Sequence, residues 1–135
     1  MYNHILIPVA FEKDSDTAPA IATARALAAP DARITLLHVM EETPPFAISY
    51  IPEGDLMQLR NALQNELRSL AENVENGQAV LIEGHAGRTI LEWADENRVD
   101  CIIIASHRPG LRDYFLGSTA NHVVRHAQCA VHVLR

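Results

Sequence analysis

Short apolar runs alternate with longer amphipathic stretches along the whole chain. Ile5-Leu6-Ile7-Pro8-Val9 is nearly continuous in its apolar character, the pattern of a strand covered on both faces. Pro8 lacks a backbone donor, so the chain is expected to leave the sheet there. In the polar stretch Glu12 to Thr17, Asp14, Ser15, Asp16 or Thr17 can cap a helix along which Ile21, Ala24, Leu27 and Ala28 recur at helical spacing. Pro30-Asp31 is expected to stop that helix, and Arg33 to Met40 reads as a second strand. Glu41 to Pro52 reads as a loop with three prolines and apolar Phe46, Ile48, Tyr50 and Ile51. Such a loop covers a site, meets a partner or simply packs on the surface.

Leu56, Leu59, Leu63, Leu67, Leu70 and Val74 form one apolar stripe at steps of three and four residues, the clearest helix in the chain. A single helix of this kind in an α/β pattern packs on a sheet rather than forming a coiled coil. Asn76-Gly77 is expected to end it with a left-handed residue. Ala79 to Ile82 is a third strand, and Gly84-His85-Ala86-Gly87 turns into a helix carrying Ile90, Leu91, Trp93 and Ala94. Cys101 to Ala105 is wholly apolar and reads as a strand central in the sheet. A helix from about Gly117 to Ala127 and a strand from Ala130 to Leu134 complete the order.

Strands alternating with helices imply an α/β class: an open five-stranded, mostly parallel sheet with helices on both faces, Rossmann-like, in a single domain spanning 1–135. Ligands of such sheets sit beyond the C-terminal strand ends, where strand order reverses. Val9–Phe11, Val39–Glu41, Glu83–Gly87 and Ala105–Gly110 are therefore the segments to search.

Composition narrows the partners. The chain has 135 residues, is 48% hydrophobic and 21% charged, and carries a net charge of −6. An acidic balance argues against a broad nucleic-acid surface, though several arginines gather in the C-terminal half and leave room for one small anion. Cys101 and Cys129 are too few for a disulfide framework, and Cys101 reads as a buried free thiol. Met1-Tyr2-Asn3-His4 has no basic segment before its short apolar run, and no apolar window is long enough to span a membrane; a cytoplasmic location without membrane insertion is expected.

Of the candidate segments, Ala105-Ser106-His107-Arg108-Pro109-Gly110 sets a hydroxyl, an imidazole and a guanidinium directly after the most apolar strand. Gly117-Ser118-Thr119 then opens a helix whose first N–H groups suit a phosphate, with Gly117 permitting close approach and Ser118 and Thr119 adding hydroxyls. Arg108 offers a planar fork of donors. The plainer alternative makes Ser118 or Thr119 an N-cap and Arg108 a solvated loop charge. Neither a Walker sequence nor GxGxxG after the first strand is present.

Ile103 to Pro109, Leu116 to Ala120 and Val123 to Arg135 together resemble the C-terminal signature of the universal stress protein family. Ile5 to Val9 and Leu36 to Val39 fit it too, and Ala-Ser-His-Arg-Pro resembles its small nucleotide-binding branch. The resemblance implies the sheet of adenine nucleotide alpha hydrolase-like proteins and a cytoplasmic homodimer that holds ATP with Mg or Mn. It implies ribose and phosphate contacts from Ala105, Ser106, His107, Arg108, Gly110, Gly117, Ser118 and Thr119. Adenine contacts would come from Pro8, Val9, Ala10 and Val39, and the metal would bind through the ATP phosphates rather than the protein. It also implies dimerisation through the C-terminal strand, with Val131 and Val133 at the interface, and an unidentified protein partner. Pairing would protect an otherwise open strand edge. One departure stands out: the nucleotide binders usually carry an Asp where this chain has Ala10, with Glu12 and Asp14 displaced from that place. A dimeric interaction module of the same fold without nucleotide, or a slow ATP hydrolase, is the alternative.

Catalysis is not expected to be efficient, since His107 is the one base near the phosphate end and any ATP hydrolysis would be slow. Ser106 and His107 are sequence neighbours without an orienting third group, a poor fit to a nucleophile–base pair. His122, His126 and Cys129 have metal-like spacing but no clear fourth ligand, and read as an ordinary helix surface. Gly84-His85-Ala86-Gly87 reads as a tight strand-to-helix turn.

Overall fold

In a computed structural model, residues 1–12, 15–42, 44–106 and 116–135 are described. The elements run β1 (Tyr2–Pro8), α1 (Ala18–Leu27), β2 (Ala28–Met40), α2 (Pro45–Ile48), α3 (Glu53–Glu72), β3 (Gly77–Glu83), α4 (Ala86–Glu96), β4 (Cys101–Ala105), α5 (Ser118–His126) and β5 (Ala130–Leu134). The five strands lie in the order β3-β2-β1-β4-β5, and every pairing is parallel. The expected α/β sheet is therefore present, with β1 rather than β4 at its middle; β4 is interior, between β1 and β5.

Side-chain alternation along the inner strands builds two cores. Ile5 and Ile7 of β1, Ile34 and Leu36 of β2, and Cys101 and Ile103 of β4 face one cluster, joined by Ala24 of α1 and Leu67 of α3. Leu6, Leu37, Ile102 and Ile104 face the other, with Ile90 of α4 and Val123 of α5. Helices thus cover both faces, which is why β1 and β4 carry unbroken apolar runs.

Several boundaries differ from the sequence-based expectation for physical reasons. Helix α1 ends at Leu27 and passes straight into β2, so Pro30 lies inside a strand rather than behind a helix. It is tolerated at an irregularity: Tyr2 faces Ala28 and His4 faces Arg33, so two steps along β1 match five along β2. Asn76, with φ 57°, takes the left-handed turn, while Gly77 already opens β3. A Cβ at Gly77 would collide with the Ala71 carbonyl and lie 2.8 Å from that of Val74. The Glu41–Pro52 segment contains the short α2.

The apolar stripe of α3 does not pack uniformly on the sheet. Leu67 is fully buried, but Leu59 is 50% exposed, because the first half of the helix extends past the strand ends. Gly117 is the N-cap of α5 and Ser118 its first helical residue, so neither Ser118 nor Thr119 is the cap. The expected strand-to-helix turn at Gly84–Gly87 is seen: His85 Nδ1 accepts the Arg88 N–H at 3.3 Å. Gly87 lets α5 approach, since a Cβ there would sit 2.7 Å from His122 Cδ2.

Candidate functional site

Strand order reverses on either side of β1: the chain moves outward to β2 and β3, then returns to place β4 on the opposite flank. The helices that follow β1 and β4 therefore diverge to opposite faces and leave a crevice beyond these two strand ends. A cavity of about 740 Å³ occupies it. Its size is within the range of small-molecule sites.

Nine of the residues expected at a nucleotide site can be located. Pro8, Val9 and Ala10 leave β1, Val39 lies near the end of β2, Ala105 and Ser106 leave β4, and Gly117, Ser118 and Thr119 open α5; all line the cavity. His107, Arg108 and Gly110 lie outside the described residues. Val131 and Val133 lie away from the cavity, half-buried against the α4–α5 core; the outer backbone edge of β5 is what remains for another strand.

The β1 exit is fastened at each residue. The Val9 N–H donates to the Leu37 carbonyl at 2.8 Å. His38 Nδ1 lies 2.6 Å from the Val9 carbonyl, which only accepts, so the ring carries its proton on Nδ1. The same ring meets Phe11 edge-on at 4.8 Å. Ser15 Oγ shares its proton between the Ala10 and Glu12 carbonyls, each at 2.8 Å, and accepts the Glu12 N–H at 3.3 Å. This wall is preorganised by backbone bonds, and Ala10 contributes a methyl group to it.

The opposite wall is a junction of three segments. The Ser106 N–H donates to the Leu134 carbonyl at 2.7 Å, and the Gly117 N–H donates to the Ser106 carbonyl at 2.5 Å. Ser106 is 3% exposed. These two bonds bring the ends of β4 and β5 and the start of α5 together. Gly117 has no side chain with which to cap the N–H groups of the first turn, so those donors and the positive end of the helix dipole face the cavity.

Residues that sequence reasoning did not assign also line the cavity: Glu12, Asp16, His38, Leu59, Leu63 and Arg135. The excess length of the Leu56–Val74 stripe over a strand's width was a signal for Leu59 and Leu63. Arg135 carried none, because its place depends on the register of β5 against β4. Among the described residues no group of three or more potential ligands is arranged to hold a metal ion. The His122 and His126 rings meet at a tilt of 50° with centroids 4.7 Å apart. Cys129 instead packs on the α4–α5 core, where burial raises its thiol pKa.

Fold and crevice together define a doubly wound α/β protein with a cavity at its switch point. The chain belongs to the universal stress protein family, whose model matches residues 1–135. Universal stress protein A homolog 2 of Coxiella burnetii is 32% identical over 99% of this chain and 95% of its own length. Universal stress protein G of Salmonella typhimurium is 27% identical over the full length of both. Universal stress protein UspA from Lactobacillus plantarum shares the fold with a TM-score of 0.69 and 26% identity, over 99% of this chain and 98% of that one. An Arabidopsis thaliana member of the family, solved with AMP bound, has a TM-score of 0.64 at 18% identity, over 98% and 90%. The Archaeoglobus fulgidus protein, solved in complex with dAMP, has a TM-score of 0.62 at 20% identity, over 99% and 98%. No helix among the described residues is long and apolar enough to cross a membrane.

Proposed function

We propose that this protein is an ATP-binding regulatory homodimer of the cytoplasm that acts in the stress response without efficient catalysis. The observation that carries the reading is the cavity between the β1 and β4 exits, with the uncapped start of α5 in its wall. The AMP and dAMP complexes of the two related proteins support an adenine nucleotide as ligand. The phosphates would meet the N–H groups of Ser118 and Thr119, and the base would lie toward Val9, Ala10 and Val39. Mg or Mn would be held through the phosphates, consistent with the hard cation's preference for phosphate oxygens and water.

Dimerisation through β5 would cover its open edge. Two free cysteines suit a reducing compartment. Bound nucleotide would act through a partner protein that senses the loaded site.

Ala10 favours a second reading, a dimeric interaction module that holds no nucleotide, because a methyl group replaces a hydrogen-bonding side chain at the base end. Isothermal titration with Mg-ATP separates the two. Saturable heat supports the first reading. No heat at about millimolar ATP, where ligand binding carries roughly 4 kcal/mol, removes it.

A further inference from the structure

The apolar stripe of α3 outlasts the sheet it packs on. Helix α3 lies against β2 and β3, where Leu67 is fully buried and Leu70 packs beside it. One and two turns earlier on the same face stand Leu63 and Leu59, at steps of four residues. Among the described residues these two join neither core cluster, and both line the cavity instead. Leu63 is half-buried and Leu59 is 50% exposed. Leucines that face a cavity rather than the protein core are the kind of wall a small-molecule site presents to the apolar part of its ligand.

This overhanging half of α3 is tied down. Arg60, next to Leu59, donates from Nη2 to Glu83 Oε2 at 2.7 Å, which links the helix to the end of β3. The layers then fix where the leucines stand relative to α5. Leu67 of α3 belongs to the core on one face of the sheet, and Val123 of α5 to the core on the other. A ligand whose phosphates meet the first turn of α5, and which crosses the carboxyl edge of the sheet, brings its opposite end to Leu59 and Leu63. At the β1 exit between them, the Val9 carbonyl already accepts from His38 and the Ala10 carbonyl from Ser15, and the Ala10 side chain is a methyl group.

We propose that Leu59 and Leu63 form an apolar cover that binds the base of the nucleotide by burial, and that this contact stands in for a hydrogen-bonding side chain at Ala10. The inference rests on the nucleotide reading above. A planar base laid against leucine removes apolar surface of both partners from water, and that gain does not depend on how many phosphates the ligand carries.

The test is to titrate adenosine, AMP, ADP and ATP into the full chain, wild type and with Leu59→Ala or Leu59→Met. Leu59→Ala is expected to weaken each of these ligands that the wild type binds by the same factor, about three- to tenfold, the scale of the area a half-exposed leucine still has to bury. Leu59→Met keeps the apolar volume and is expected to stay within about twofold of the wild type. Because Leu59 is half exposed, the ligand-free variants are expected to melt with the wild type. Unchanged affinities in Leu59→Ala, an equal loss in Leu59→Met, or a loss that grows with the number of phosphates overturns the proposal. A ligand-free Leu59→Ala protein that has lost its fold also overturns it, since Leu59 would then be part of the core. Wild-type protein that binds none of the four overturns the nucleotide reading itself, and the role of the cover falls with it.

Discussion

His4 shows how one side chain near the start of β1 links the sheet to the chain around it. Its Nδ1 faces the Asn97 carbonyl at 3.0 Å and so carries the proton, leaving Nε2 to accept from the Thr35 hydroxyl at 2.8 Å. Its ring also meets Trp93 edge-on at 5.6 Å. Both ring nitrogens are satisfied by the neutral form, and burial above all lowers the His4 pKa below its ordinary 6.5. The unfolded chain therefore binds a proton at a pH where the folded chain does not. By linkage, stability from this residue is present above about pH 6.5 and is lost as pH falls below it toward the depressed folded value. Urea denaturation at several pH values should show this loss, and His4→Gln should flatten the slope in that window. An unchanged slope would show that His4 does not titrate with folding. The two thiols are quiet by the same physics: burial pushes Cys101 up to about 11, so little reactive thiolate exists at neutral pH.

Gly117 links local helix chemistry to ligand binding. At φ −61° and ψ 157° it has a backbone that an N-capping Asp adopts readily. Gly117→Asp should fill the exposed first turn with its own carboxylate, keeping or raising the melting temperature by a few tenths of a kcal/mol's worth of capping, while ATP affinity drops about tenfold or more. A variant that binds ATP as well as the wild type would place the phosphates elsewhere. The other elements were legible to different degrees. Strand β4 and strand β5 could be read from residue type because they are short: burial on both faces demands an apolar run in β4, and β5 is a brief apolar stretch soon after α5. Strand β2 could not be bounded at its start, because Pro30 signals a break locally and the irregular pairing with β1 overrides it. The α3 stripe gave the helix but not its environment. Periodicity shows that one face is apolar, whereas the overhang of Leu59 and Leu63 beyond the sheet is a property of the assembled layers.

At the scale of the whole molecule, topology rather than any one motif makes the site. The segments after β1, β2 and β4 are far apart in sequence, and the reversal of strand order brings them to one crevice. Alternation of strands and helices was enough to foresee that the segments after the strands converge, whereas Pro8, Val9, Val39, Ser106, Gly117, Ser118 and Thr119 were joined into one group by the family resemblance. The places of Arg135 and His38 could not be foreseen, since they depend on register and on a hydrogen bond across strands. The most direct measurement is an amide NMR titration of the full chain with Mg-ATP. Saturable shifts should concentrate at Val9–Glu12, Val39–Glu41, Ser106 and Gly117–Ala120, on both sides of the crevice. Absence of shifts, or shifts gathered on another face of the molecule, would contradict a nucleotide held at the β1–β4 switch point.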